Sequence, residues 1–182
     1  MKTKLAFALV AIVIAWGLKR HYADARPDDL SWILGPTARL VSATTGETFV
    51  LQTGEGYFSR ERLFLIEKAC AGVNFMIAAF AMLVVGLFHR VESRVEAMRV
   101  LGASLLASYS AAVLVNTVRI SIAMWLASHP AALSAFSAAD VHRIEGITVY
   151  FAGLVLLHEL VRRFEGRGAA FGTEARSAEV AS

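Results

Sequence analysis

The twenty residues 69–88, ACAGVNFMIAAFAMLVVGLF, contain no charged side chain. An α-helix of roughly 20 residues is about 30 Å long, which matches the hydrocarbon thickness of a bilayer, so this stretch predicts a membrane span. It also holds the only cysteine of the chain, Cys70, at the border where the charged pair Glu67 and Lys68 gives way to the apolar run. Fold and chemistry therefore have to be read together from this segment.

Working outward, three more apolar segments appear: Leu5 to Leu18, Val100 to about Val118, and Ile144 to about Val161. Of the 182 residues, 57% are hydrophobic and 18% charged, and the mean hydropathy is +0.56. That composition predicts an all-α integral membrane protein with about four transmembrane helices. The first segment is short. Lys2 and Lys4 before it and Ala23-Asp24-Ala25 after it resemble a signal peptide, but Lys19, Arg20 and His21 separate the run from that cleavage-like site and favour a retained anchor.

The charged flanks set the expected orientation. Arg90, Arg94 and Arg99 lie between the second and third segments, and Arg162, Arg163 and Arg167 follow the fourth. By the positive-inside rule both are cytoplasmic, as are Lys2 and Lys4. Residues 19–68 balance seven Lys/Arg against seven Asp/Glu, and the connection Ile120 to Arg143 is sparsely charged, so both fall on the exported side. A net charge of +3, with basic residues scattered among acids, gives no nucleic-acid footprint. The expected plan is an anchor over 1–22, an exported interfacial segment and hairpin over 23–68, a three-helix membrane core over 69–164, and a disordered cytoplasmic tail over 165–182.

Within the exported part, residues 30–41 combine Trp32, Ile33, Leu34 and Leu40 with Pro36 and Arg39, which suits a short interfacial segment. Phe49-Val50-Leu51, Gly54-Glu55-Gly56 and Leu63 to Ile66 read as a small hairpin. In the third apolar segment Ala103, Ala107 and Ala111 form one small-residue row and Ser104, Ser108 and Ala112 its neighbour, a pattern for close helix packing.

Depth along the spans brings three reactive residues together. Cys70 precedes His89 by 19 residues and Arg119 follows Val100 by 19, each interval being about 28 Å of helix. Cys70 and Arg119 thus reach one membrane boundary, and His142, just before the fourth segment, joins them. A thiol in the first turn of a helix is favoured as thiolate, and a nearby cation adds to this. Asn116 lies three residues before Arg119 on one helical face, and Asn74 lies one turn below Cys70. Asp140 and Glu145 flank His142 and could orient its ring, though each also reads as an ordinary interfacial charge. His158-Glu159 begins like a zinc-protease motif but has Arg162 where the second His belongs, so no metal is expected. The bland reading of the whole set is a non-enzymatic membrane scaffold or small transport subunit, with Arg119 snorkelling and Cys70 inert.

The segments EKACAGVN, VLVNTVRI and DVHRIEG resemble, in order, the Cys, Asn-x-x-Arg and His regions of the exosortase/archaeosortase family of membrane-embedded cysteine transpeptidases, and the shortness of the chain resembles the small members such as exosortase K. The resemblance covers roughly Leu63 to Val161. It implies Cys70 as nucleophile, Arg119 as stabiliser of oxyanion or thiolate, and His142 as general acid/base, with no cofactor. It further implies partners among exported proteins that end in a short motif, a transmembrane helix and a basic terminus, cleaved through a thioester at the outer face of the cytoplasmic membrane. Ala71 stands where many members carry Ser, a departure that touches subfamily more than activity.

Overall fold

The computed structural model describes residues 2–129 and 138–180, and among these the side chains other than those of 138, 139, 142 and 164–180. The chain is mostly helical: α1 (Lys2–Asp24), α2 (Ser31–Thr45), α3 (Val73–Gly86), α4 (Arg94–Ala127) and α5 (Ala138–Val180), with strands β1 (Val50–Gln52), β2 (Gly56–Ser59) and β3 (Phe64–Ile66) between α2 and α3. Among the described residues, three segments are long and apolar enough to cross a membrane: Lys68–Gly86, Arg94–Ala127 and Arg143–Arg163. The first apolar run, in α1, does not join them. Its helix packs on α3 and α4.

The 34-residue α4 is the axis of the fold, touching α1, α2, α3 and α5. Its start is fixed by a reciprocal cap: the Ser93 hydroxyl accepts from the Glu96 N–H, and the Glu96 carboxylate accepts from the Ser93 N–H at 2.8 Å. The helix runs past the expected end near Val118 to Ala127, correcting the reading of Ile120 onward as a connection. Ile120 and Met124 continue the buried stripe, and the first helix-breaking residue of the sequence beyond them is Pro130. Of the two small-residue rows, the buried one is Ser104, Ser108 and Ala112, prolonged by Asn116. Ala103 faces outward.

Residues 31–45 take in most of the expected interfacial segment. They form a helix whose Ile33, Leu34, Ala38 and Val41 are wholly buried, against α4 among others. Pro36 sits inside it and cannot donate to the Trp32 carbonyl one turn back. The Tyr109 hydroxyl of α4 donates to that carbonyl instead, at 2.9 Å, and its ring stacks on Trp32. Gly46 ends the helix at φ 76°, its N–H bonded to the Ser42 carbonyl.

The expected hairpin is a three-stranded antiparallel meander in the order β1-β2-β3. Gly54-Glu55-Gly56 does turn the chain, but the partner of β1 is Gly56–Ser59, with Leu51 opposite Tyr57, and Leu63 to Ile66 contributes the third strand, with Phe58 opposite Leu65. The aromatic pair Tyr57-Phe58 supplies the β preference that the hairpin reading passed over. Arg62, in the turn before β3, pairs with Glu47 at 2.6 Å and donates to Ser128 Oγ at 3.1 Å, tying the sheet to the end of α4. The Arg62 guanidinium holds the Glu47 carboxyl below the usual carboxylate range.

α5 presents Ile144, Ile147, Phe151, Val155, Leu156 and Leu160 outward. An exposed apolar face on this scale calls for lipid or a partner to cover it. The same helix continues to Val180 through the tail expected to be disordered, a stretch whose repeated Ala, Glu and Arg are strong helix formers.

Candidate active site

Cys70 closes a short 3₁₀ turn, Lys68–Cys70, that precedes α3. The expectation that it lies in the first turn of its helix is corrected, because its N–H is taken by the Glu67 carbonyl at 2.8 Å and α3 begins only at Val73. The helix dipole argument therefore belongs to residues 73–75, not to the thiol's own position. Between turn and helix stands Gly72 at φ 67°, and a Cβ there would lie 3.3 Å from Asn116 Cγ. Left-handed backbone and close approach both demand glycine at this point.

Asn116 is the hub. It is fully buried on α4, its side-chain amide donates to the Cys70 carbonyl, and its Oδ1 accepts from the Tyr150 hydroxyl of α5 at 3.0 Å. Arg119 Nη1 in turn donates to the Tyr150 oxygen at 3.3 Å, with its guanidinium 5.3 Å from the ring centroid. The direction of this chain is forced. Arginine has no acceptor, so the phenol oxygen must accept from Arg119 and spend its one hydrogen on Asn116. That fixes which end of the Asn116 amide faces the cysteine turn.

Glu145 lies on the other side of Arg119, its Oε2 3.8 Å from Nε, with both side chains about nine-tenths buried. Neither Glu145 oxygen has a hydrogen-bond partner among the described residues. The reading of Glu145 as an ordinary interfacial charge is therefore corrected: a carboxylate this buried is sustained by the guanidinium beside it. Two glycines of α5 allow the helix to come this close. A Cβ at Gly146 would lie 3.2 Å from Arg119 Nε, and one at Gly153 would lie 2.7 Å from Val115 Cγ2 and 3.2 Å from Phe75.

Of the residues singled out from sequence, Cys70, Asn116, Arg119 and Glu145 belong to one connected cluster. Asn74 is exposed on α3, where Lys19 of α1 donates to its Oδ1 at 2.7 Å. It shares a cleft of ≈ 350 Å³ with Arg119, Arg143, Tyr22 and Tyr150, into which the neighbours of Cys70, Ala69 and Gly72, also open. Asp140 is exposed at the start of α5. The backbone of His142 occupies α5 one turn before Glu145 and Gly146, the positions α5 turns toward Arg119, while its side chain lies outside the described ones. Glu159 of the zinc-like motif is engaged by Arg162 and Arg163, each at 3.0 Å.

Sequence reasoning missed Tyr150 and Gly72. A tyrosine in an apolar run reads as an interfacial aromatic, and only its bonds to two polar residues of α4 set it apart. Gly72 carried a usable signal, a glycine between a cysteine and the start of a span. No protein-family model, curated protein or solved structure matches the chain.

Proposed function

We propose that this chain is a multi-pass cysteine transpeptidase or protease of the cytoplasmic membrane, exosortase-like, that cleaves the C-terminal sorting signal of exported proteins at the outer face. The observation that carries the reading is the hydrogen-bonded chain Arg119–Tyr150–Asn116, which ends on the backbone of Cys70. Three polar side chains inside an apolar bundle are costly to keep, and such groups mark functional sites by default. Here they lead to the backbone of the residue that carries the only thiol. In this reading α1 is a fourth, retained span, both termini are cytoplasmic, and the substrates end in a short motif, a transmembrane helix and a basic terminus.

The chemistry follows from the residue types. The Cys70 thiolate attacks the scissile carbonyl, Arg119 supplies donors to the oxyanion, the C–N bond breaks as the C–S thioester forms, and His142 gives its proton to the departing amine. An acceptor amine or water then attacks the thioester, its proton passes to His142, and the C–S bond breaks to release the Cys70 thiolate. Asn116 holds the backbone of the nucleophile, Glu145 balances the buried guanidinium, and Asn74 and Asp140 stand at the margin. No cofactor is needed.

The test is co-expression with an exported reporter carrying such a C-terminal signal, together with a thiol-directed probe applied from outside the cell. The reading expects processing by the parent chain, none by Cys70→Ala at equal membrane levels, and probe labelling that disappears in the same variant. An unprocessed reporter and an unlabelled Cys70 would leave the non-enzymatic scaffold as the better account.

A further inference from the structure

A second groove lies well away from the cysteine. It runs between the first turns of α1 and of α4, encloses ≈ 480 Å³, and is lined by Ala6, Phe7 and Val10 on one side and Ala97, Met98 and Leu101 on the other, with Lys2 and Arg94 at its mouth. The two cations come from different helices, 92 positions apart in sequence, and share one apolar trough. Arg94 is the first residue of α4, where a cation opposes the helix dipole, so the helix itself gains nothing from it. Glu92 and Glu96 are the acids nearest to Arg94 along the chain, and Glu96 turns its Oε2 back to accept from the backbone N–H groups of Glu92 and Ser93. The long apolar α4 is one of the three candidate spans, and the groove descends from its charged end along its apolar flank.

From this we infer that the groove is a binding site for one anionic phospholipid, its phosphate-bearing headgroup between Lys2 and Arg94 and an acyl chain lying on Phe7, Val10, Met98 and Leu101. The occupant follows from charge complementarity. A zwitterionic lipid carries its own ammonium to the same mouth and loses the net attraction, whereas a transmembrane helix end rich in basic residues is repelled. Basic residues near a membrane surface gain about 1 kcal/mol each from anionic lipid, so two of them predict a preference of roughly tenfold or more. The inference rests on the chain spanning a membrane and is independent of any activity at Cys70.

The experiment is native mass spectrometry of the detergent-purified full chain titrated with phosphatidylglycerol or phosphatidylcholine of identical acyl composition. The parent chain should retain one phosphatidylglycerol at least tenfold more strongly than phosphatidylcholine. Lys2→Ala/Arg94→Ala should reduce that ratio to within twofold, while Arg162→Ala/Arg163→Ala, removing two cations at the end of the Arg143–Arg163 segment of α5, outside the groove, should leave it intact. Ala6→Phe, which fills the trough at an exposed position and keeps both cations, should also abolish retention. Equal retention of the two lipids, selectivity that survives Lys2→Ala/Arg94→Ala, selectivity lost equally in the Arg162/Arg163 pair, or full retention by Ala6→Phe would each overturn the site. Failure of the chain to partition into membranes at all would overturn its premise.

Discussion

Tyr150→Phe is the sharpest perturbation the site offers, because it removes one oxygen and leaves the ring. The ring keeps its contact with Phe75, at 5.3 Å between centroids, and with the Arg119 guanidinium, also at 5.3 Å. What disappears is the bond to Asn116 Oδ1 at 3.0 Å and the one from Arg119 Nη1 at 3.3 Å. Each orphaned buried group costs about 1–3 kcal/mol. The cleft beside Tyr150 and Arg119 admits water to the Arg119 side, so the lower end applies and the pair sums to about 2 kcal/mol. If the cost falls on the positioning of Cys70 and Arg119, kcat/KM drops about thirtyfold at 1.4 kcal/mol per tenfold. Single-turnover cleavage of a purified sorting-signal substrate in detergent measures this, alongside Asn116→Ala and the double variant. Members of one hydrogen-bonded chain are not independent, so the double variant should lose much less than the sum of the two single losses. Turnover of Tyr150→Phe within twofold of the parent, or strict additivity with Asn116→Ala, would refute the idea that the phenol orients the Asn116 amide.

Two glycines should respond to alanine in opposite directions. Gly72→Ala imposes a Cβ at φ 67° and 3.3 Å from Asn116, a strain of about 1–2 kcal/mol, whereas Gly86→Ala, near the end of α3 with open space around it, should be neutral or gain up to about 1 kcal/mol; thermal unfolding in detergent that ranks them the other way would contradict the local geometry. The tie between Arg62, Glu47 and Ser128 should be pH-dependent: because the Glu47 carboxyl is depressed in the folded chain, its contribution is complete above the unfolded value of about 4.3 and is lost only as pH falls through the lower folded value. Amide exchange of residues 50–66 should accordingly rise below about pH 4, and an identical rise in Glu47→Gln would assign the effect elsewhere.

The amino-acid sequence by itself determined the elements that depend on local information. Hydrophobic length predicts helices at 69–88, 100–118 and 144–161, and the structure places α3, α4 and α5 there, with α3 confined to Val73–Gly86; Gly54-Glu55-Gly56 predicts a turn; the spacing of Asn116 and Arg119 predicts one helical face, and both are buried on it. These follow from a 3.6-residue period, a rise per residue and turn chemistry, all of which act over a few positions. What tertiary structure decided is how the helices are rotated against one another. Residues 31–45 hold enough apolar surface for either an interface or a core, and the Tyr109 hydroxyl accepting the role that Pro36 vacates accompanies their burial in the core. Glu145 could have faced water, but Gly146 and Gly153 draw α5 onto α4 and turn that carboxylate toward Arg119. The same approach brings Tyr150 between two residues of α4 more than thirty positions away. A side chain's partner across a helix interface depends on axial rotation and separation, and those are set by the packing of every small and large residue along both helices at once.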